Sequence, residues 1–285
     1  MQAKKDSPIQ IDNREWGVLT QGDRIRMIEE EGYLIIPDWI NSDHLKALKQ
    51  ECEKLETVGR DYSEKQRGCN NPHLKSRQLA ALIAYAPTIN FLEKLFGDQL
   101  VFLHYTYDRS DPGTPGISLH TDGQPYGSKI FGYEGSCPIT VRVLYYLDDL
   151  TLDVSPFRVI PRSHLCMHSD ANPYKRYDRH PEEVIVPCTA GSALFLNHKV
   201  FHGTLPNKGT RSRSMLAVAY RPSWSGPIVN VPSRNSSELD QMPKNVLPYM
   251  ADPNIRLYDF DTNNKPQGMI SEAPGMNPSR WQRKT

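Results

Sequence analysis

Apolar residues recur at helical spacing through the first third of the chain. A Thr20-x-x-Asp23 start and apolar positions at Ile25 and Ile28 predict a short helix that ends at Gly32. Tyr33–Ile36 then has the apolar, β-branched composition of a buried strand. The chain therefore opens with a helix followed directly by a strand.

Two further helices are predicted in this region. Asn41 or Ser42 can cap the first, and Arg77–Phe96 forms the second, with an interruption at Pro87 and an end at Gly97. The apolar face of the first of these helices consists of Leu45, Leu48, Cys52 and Leu55.

The pattern changes after Gly97, where short runs of β-branched and aromatic residues are separated by Pro, Gly, Asn and Asp clusters. No convincing helical pattern lies between these runs, so parallel βαβ units are not expected. The pattern predicts a mainly β protein with a helical N-terminal part, and a sandwich or jelly-roll barrel for its core. The runs are Val101–Tyr107, Ile139–Leu147, Phe157–Ile160, Val184–Val186, Ala193–Leu196 and Ser214–Tyr220.

We predict one domain over residues 1–285, with a helical lead-in at 20–97, a β core at 98–222 and a loop-rich extension at 223–285. Residues 57–75 are polar and are expected to form an unusually long loop. Loops of that length act as lids, form binding segments or are disordered.

Composition narrows the function classes. The formal net charge of +1 gives no general attraction to nucleic acid or membranes. No run of apolar residues approaches the roughly 18 needed to cross a bilayer, and the first residues are polar, so a cytoplasmic protein is expected. The 5 cysteines are scattered without a CxxC motif and are expected to be reduced.

One short motif carries candidate metal chemistry. In Ile117–Gly123 an apolar run ends in His120-Thr121-Asp122, and residues two apart on an extended strand project to the same side. A third ligand is expected from His202, on another strand of the barrel. Two imidazoles and one carboxylate form the facial set that binds ferrous iron and leaves three coordination positions open.

Arg213 and Thr204 extend this candidate site. Arg213 begins a strand-like run downstream of His202, and its guanidinium can pair bidentately with the distal carboxylate of 2-oxoglutarate. The Thr204 hydroxyl can bind the same carboxylate. The competing interpretation of Arg213 is a solvated charge at a strand end, paired with an acid.

Several other residues compete for roles. His198 is the main rival of His202 as third ligand, and His164 is expected to be a turn or supporting residue. Arg142 lies in a β run and either faces the barrel interior, binding substrate or 2-oxoglutarate, or pairs with Asp108 or Asp111. Gln124, Tyr126 and Lys129 line the substrate mouth or a polar surface loop. Surface positions are expected for His44, His73, His168 and His180.

Taken together, four segments resemble the phytanoyl-CoA dioxygenase family of iron- and 2-oxoglutarate-dependent oxygenases. The likeness spans roughly Gly32 to Pro222, in the family's order. The segments are His120–Gly123, Tyr145–Asp149, Val159–His164, and His202–Asn207 with Arg213.

The resemblance implies a double-stranded β-helix of cupin-like jelly-roll type. It also implies an iron triad of His120, Asp122 and His202, with Arg213 as the anchor for 2-oxoglutarate. Tyr105 stands where family members often place a 2-oxoglutarate contact, with core packing as the alternative. Arg162 replaces the glycine of the family's usual Pro-Gly-Ser-His turn, which bears on loop shape and substrate.

The implied function is a dioxygenase that uses Fe(II), 2-oxoglutarate and O2 and releases succinate and CO2. Because Asp122 is retained, whereas related halogenases lack this carboxylate, we expect hydroxylation of an unactivated C–H bond; desaturation, cyclisation and demethylation are alternatives. The expected partner is a small-molecule or natural-product substrate, and neither nucleic acid nor a membrane is expected to bind. The enzyme is expected to be a monomer or a homodimer. The competing functions are a non-catalytic jelly-roll ligand-binding module and a zinc hydrolase with the same ligands.

Overall fold

A computed structural model of the chain describes residues 10–97, 99–122, 140–165, 179–223, 225 and 234–251. All of them belong to one compact unit, Met1–Ala251. Residues 252–285 and the loop residues Gln124, Tyr126, Lys129 and His168 lie outside the described residues, so the predictions for them and for a single domain remain predictions.

The described residues form two β-sheets. The larger sheet has the order β2-β10-β7-β12-β5-β4-β3 and the smaller one β1-β9-β8-β11-β6. The strands are β1 Gln10–Ile11, β2 Tyr33–Ile36, β3 Val58–Arg60, β4 Ser63–Asn70, β5 Leu100–Ser110, β6 Ile117–His120, β7 Val141–Tyr146, β8 Phe157–Val159, β9 Val184–Val186, β10 Ala193–Asn197, β11 His202–Thr204 and β12 Arg213–Pro222.

The eight strands from β5 to β12 wind back and forth between the two sheets as a jelly roll. Strands β5, β7, β10 and β12 lie in the larger sheet, and β6, β8, β9 and β11 lie in the smaller sheet. All pairings among them are antiparallel. The predicted mainly β, jelly-roll class is therefore confirmed, and each predicted β run corresponds to a strand of the roll.

The helical part is modest and largely follows its sequence signals. Thr20 forms a capping box with Asp23 at the start of α1, Gln21–Arg26, which continues as a π-helical turn, Met27–Glu31. Gly32 ends this segment at φ +85°, a conformation that favours glycine. Asn41 caps α2, Ser42–Glu53, as expected.

The stretch 77–96 is divided into three helical pieces. These are α3, Arg77–Ala81, a 3-10 turn, Leu82–Ala84, and α4, Ala86–Phe96, with Pro87 in the first turn of α4. Proline fits there because the first N–H groups of a helix lack internal partners. By length and composition alone this stretch could span a membrane, but 56% of its apolar 18-residue window is buried inside the protein, as in a core helix.

The prediction of a long loop at 57–75 is wrong. Most of them form the hairpin β3–β4, which is followed by a 3-10 turn, Pro72–Leu74. Strand β4 extends the larger sheet by pairing with β5 from Gln66↔Ser110 to Asn70↔Thr106. The segment is polar because it lies at the sheet edge, where charged side chains are usual. Backbone pairing with β5, which has no local sequence signal, makes it a strand.

The region after β12 is less irregular than predicted. Its described part forms α5, Ser236–Asp240, and α6, Leu247–Met250. Met242, Val246 and Met250 are buried in the main hydrophobic core. Spaced apolar residues in a Pro- and Asn-rich sequence therefore anchor residues 234–251 to the core of the unit.

Candidate metal centre

The two histidines of the predicted triad face each other across a strand pair. His120 is the last residue of β6 and His202 the first of β11, and the antiparallel register pairs them directly. Their ring centroids are 4.4 Å apart. The barrel therefore brings together two residues that are far apart in sequence.

Backbone carbonyls determine which nitrogen of each imidazole carries the proton. Nδ1 of His120 lies 2.8 Å from the Ser118 carbonyl oxygen, and Nδ1 of His202 lies 3.0 Å from that of Val200. A carbonyl only accepts hydrogen bonds, so each Nδ1 is the donor. The lone pair of each neutral ring is then on Nε2, the atom available to a metal.

Asp122 completes the group from a bend just beyond β6. Its backbone N–H donates to the His198 carbonyl at 2.8 Å. Oδ1 lies 3.8 Å from Nε2 of His120, and Oδ2 lies 3.7 Å from Nε2 of His202. The three candidate donor atoms lie within 4.8 Å of one another, so the strand and the bend together direct both side chains of His-x-Asp to one point.

The donor set fits a divalent cation. Oδ2 of Asp122 is buried and has no hydrogen-bond partner among the described residues. A buried carboxylate oxygen without a partner is costly. Two imidazole lone pairs and this oxygen form the two-histidine, one-carboxylate set that suits ferrous iron.

Electrostatics keep Asp122 and His202 in metal-binding protonation states. Burial by itself would raise the pKa of Asp122, but Arg142 and then His202 and His120 outweigh it and lower that pKa to about 2. Burial, followed by the influence of His120, lowers the pKa of His202 to about 4. At neutral pH the carboxylate is charged and the His202 ring is neutral.

The rival histidines have other contacts. Nδ1 of His198 lies 3.1 Å from the Thr140 carbonyl, and His198 is outside the donor cluster found among the described residues. His164 is buried, with Nε2 bonded to the Glu29 carbonyl at 2.7 Å. The expected surface position of His73 is wrong, because this residue is buried and stacks on Tyr105. His44 and His180 are half-buried.

Arg213 is a fully buried cation. It has 0% exposure, and none of its three side-chain nitrogens has a hydrogen-bond partner among the described residues. Its guanidinium carbon lies 5.8 Å from the centre of the Tyr146 ring. The interpretation as a solvated charge at a strand end is therefore wrong, and the environment of Arg213 calls for an anion.

A cavity of about 350 Å³ lies beside the two histidines, between the sheets. His120, His202 and Thr204 line it from the smaller sheet, and Tyr146 and Met215 line it from the larger sheet. Arg213 lies on the same face of β12 as Met215, two residues away. The group of donors and the buried guanidinium thus lie between the same two sheets.

Of the two residues predicted to contact 2-oxoglutarate, Thr204 lines the cavity and Tyr105 does not. Thr204 lines the cavity, and its Oγ1 accepts the Ile117 N–H at 3.0 Å, so its role toward 2-oxoglutarate stays a prediction. The role of Tyr105 is corrected. His104 and Thr106 line the cavity, so the strand alternation turns Tyr105 to the opposite face of β5, where it is buried against His73.

Arg142 faces the barrel interior, but its predicted acidic partners are wrong. Asp108 pairs with Arg60 at 2.6 Å and Asp111 with Arg109 at 2.9 Å. Nη1 of Arg142 instead donates to Oδ1 of Asp122 at 2.9 Å. Its partner is therefore a residue of the candidate triad.

Sequence reasoning missed part of the cavity wall. His104, Thr106 and Asp108 of β5 line it, together with Arg60 and Asn70 of the β3–β4 hairpin. The alternation of polar residues along His104–Asp108 was a usable signal for a strand that faces a polar interior. The hairpin residues had no such signal.

The fold and the site define a jelly-roll protein with a two-histidine, one-carboxylate group in its interior. A sequence model described as phytanoyl-CoA dioxygenase (PhyH) matches residues 28–215, more than half of the chain. The chain belongs to this family, which confirms the resemblance drawn from the motifs, and the family assignment indicates a non-haem iron enzyme dependent on 2-oxoglutarate. No curated protein sequence matches the chain at a significant level.

Solved structures agree on the fold. HygX from Streptomyces hygroscopicus, with nickel and 2-oxoglutarate bound, is 19% identical with a TM-score of 0.63, covering 77% of this chain and 94% of its own. The epimerase SnoN from nogalamycin biosynthesis is 15% identical with a TM-score of 0.60, covering 76% and 96%. The carbocyclase SnoK from the same biosynthesis is 18% identical with a TM-score of 0.59, covering 76% and 95%.

Proposed function

We propose that this protein is an Fe(II)- and 2-oxoglutarate-dependent dioxygenase in which His120, Asp122 and His202 bind the iron and Arg213 binds 2-oxoglutarate. The observation that carries the proposal is that two unusual features occur together inside the barrel. A cluster of three convergent donors lies beside a cavity. The fully buried guanidinium of Arg213, which has no hydrogen-bond partner among the described residues, lies on the same strand face as the cavity residue Met215. A metal ion would satisfy the three donors, and a carboxylate of a bound dicarboxylate would satisfy the guanidinium.

The protein's own residues orient and shield the reactants. When bound, iron and 2-oxoglutarate supply the oxidative chemistry, which consumes O2 and releases succinate and CO2. Nε2 of each histidine and Oδ2 of Asp122 would hold the metal. Arg213 holds the distal carboxylate through its planar fork, and the Tyr146 ring beside it excludes water.

We propose hydroxylation of a C–H bond in a small molecule as the reaction outcome. The carboxylate of Asp122 supports this choice, because the related halogenases lack it. Other outcomes occur on this fold, as the epimerase SnoN and the carbocyclase SnoK illustrate. HygX has been crystallised with hygromycin B, which supports a natural product or other small molecule as the substrate.

We further propose a cytoplasmic enzyme that acts as a monomer or homodimer. The free thiols of Cys52, Cys69 and Cys188 support a reducing compartment.

Anaerobic titration with Fe(II) and then 2-oxoglutarate tests the proposal. We expect one iron per chain and a visible charge-transfer band on addition of 2-oxoglutarate, followed by succinate formation in air. Zinc bound without the band would favour the hydrolase, and His120→Ala with unchanged metal content would favour the non-catalytic module.

Two arginine variants sharpen the test. Arg213→Met should weaken 2-oxoglutarate binding at saturating iron at least about 30-fold, the equivalent of about 2 kcal/mol for a buried charged contact. Arg109→Met is the matched control, because Arg109 lies opposite Ser214 in the neighbouring strand and pairs with Asp111 at the surface. Equal affinities of the two variants would contradict the role of Arg213.

A further inference from the structure

The two oxygens of Asp122 have different surroundings. Oδ1 accepts a hydrogen bond from Nη1 of Arg142 at 2.9 Å. Oδ2 is buried and has no hydrogen-bond partner among the described residues. The carboxylate is thus held on one side and left available on the other.

Arg142 is itself held in place by a second residue. Its Nη2 lies 3.3 Å from Nδ1 of His104 on β5. A guanidinium is only a donor, so Nδ1 of His104 accepts and the ring carries its proton on Nε2. The chain of contacts runs from β5 through β7 to the bend after β6, and joins both sheets.

We propose that Arg142 and His104 form a positioning pair that restricts Asp122 to bind metal through Oδ2 alone. The inference rests on the proposed metal site and adds a function for two residues that hold no metal themselves. Because Oδ1 is engaged by Arg142, the carboxylate cannot readily rotate to give both oxygens to the same ion.

This restriction matters for the open coordination positions. A facial set of three protein donors leaves three positions, which the bidentate 2-oxoglutarate and O2 require. A carboxylate bound through both oxygens would occupy one of them. The positioning pair therefore protects 2-oxoglutarate binding as well as metal affinity.

Binding measurements with redox-stable Co(II) test the proposal without turnover. Removing a residue that orients a metal ligand typically lowers metal affinity about 10–100-fold. We expect Arg142→Met to show such a loss, and at saturating Co(II) to bind 2-oxoglutarate more weakly than wild type. The visible Co(II) spectrum should also change, because the coordination of Asp122 changes.

Conservative and neighbouring variants separate positioning from a general structural role. Arg142→Lys keeps the charge but lacks the fork, so it should recover part of the Co(II) affinity. His104→Ala should cause a smaller loss than Arg142→Met. The matched control is Arg109→Met, which replaces another arginine, on the same strand as His104, and removes its ion pair with Asp111, and should leave the Co(II) affinity and spectrum unchanged.

The outcomes distinguish this inference from the proposed function. If wild type binds no Co(II), the metal site itself is wrong. If wild type binds and folded Arg142→Met binds Co(II) and 2-oxoglutarate as tightly, with the same spectrum, the positioning pair is wrong while the metal site stands. Higher Co(II) affinity in Arg142→Met would also overturn the inference, because the arginine charge would then act only by repelling the metal.

Discussion

Backbone contacts near each candidate ligand hold it in a metal-binding orientation. His120 and His202 each place Nδ1 at the carbonyl oxygen two residues earlier, and Asp122 is held by the His198 carbonyl. Sequence alone could identify the triad residues from their motifs. It could not identify Arg142 as the partner of Asp122, because a bend in the chain and a distant strand bring the two together.

The predictions for Tyr105 and His73 are wrong for different reasons. Polar residues at His104, Thr106 and Asp108 mark the cavity face of β5, so Tyr105 had to face the core. His73 was assigned to the surface from its polar sequence neighbours, but its ring packs between Phe102 and Tyr105.

Replacing Arg213 should not lower the unfolding free energy of the ligand-free protein, because the buried guanidinium has no hydrogen-bond partner among the described residues. A buried guanidinium without hydrogen bonds is unfavourable, so Arg213→Met should be as stable as wild type or more stable in urea unfolding without 2-oxoglutarate. A loss of more than about 2 kcal/mol would contradict this expectation. It would indicate that the arginine is satisfied by the protein itself.

At the scale of elements, the close approach of β6 and β11 determines the geometry of the two histidines. A Cβ on Gly203 would lie 2.5 Å from the Ile117 carbonyl oxygen and 3.0 Å from that of Ser118. Both contacts are with backbone, which cannot move aside as a flexible side chain can. Glycine next to His202 is therefore required by strand spacing.

Gly203→Ala should accordingly destabilise the protein by about 1–3 kcal/mol and weaken metal binding by moving His202 away from His120. Gly22→Ala is the control, because a Cβ there meets only Thr20 Oγ1 at 3.9 Å. Chemical unfolding and Co(II) titration measure both effects. Wild-type behaviour of Gly203→Ala would contradict the account of the strand spacing.

The polar hairpin β3–β4 marks the limit of sequence prediction for elements. Most strands of the roll can be predicted from apolar runs in the sequence. The caps at Thr20, Asn41 and Gly97 likewise mark helix ends. Strand β4 has only scattered buried positions, such as Gln66, whose side chain accepts a hydrogen bond from Ser110. Its strand form depends on an edge of β5 that local sequence does not encode.

At the scale of the whole molecule, two buried histidines away from the metal centre connect stability to pH. Burial, then Arg234 and His104, lowers the pKa of His73 to about 3. Burial is also the main cause of the lowered pKa of His164. Both rings are neutral in the folded protein when the same residues in the unfolded chain begin to bind protons, near the ordinary value of 6.5.

The unfolding free energy should therefore fall as pH decreases from about 6.5 toward 4, because the unfolded chain binds more protons than the folded one. Each histidine contributes at most about 1.4 kcal/mol per pH unit. Urea unfolding over this range measures the slope, and His73→Phe should reduce it. A slope that is unchanged by His73→Phe would contradict the assignment of its lowered pKa.

The central claim is that three metal donors and one buried guanidinium inside the barrel bind a metal ion and 2-oxoglutarate together. A crystal structure with Ni(II) and 2-oxoglutarate, a combination that does not turn over, tests it most directly. We predict Ni(II) on Nε2 of His120, Nε2 of His202 and Oδ2 of Asp122, with the distal carboxylate of 2-oxoglutarate on Arg213. Metal bound elsewhere, or Arg213 paired with an acidic residue of the protein in the presence of 2-oxoglutarate, would contradict it.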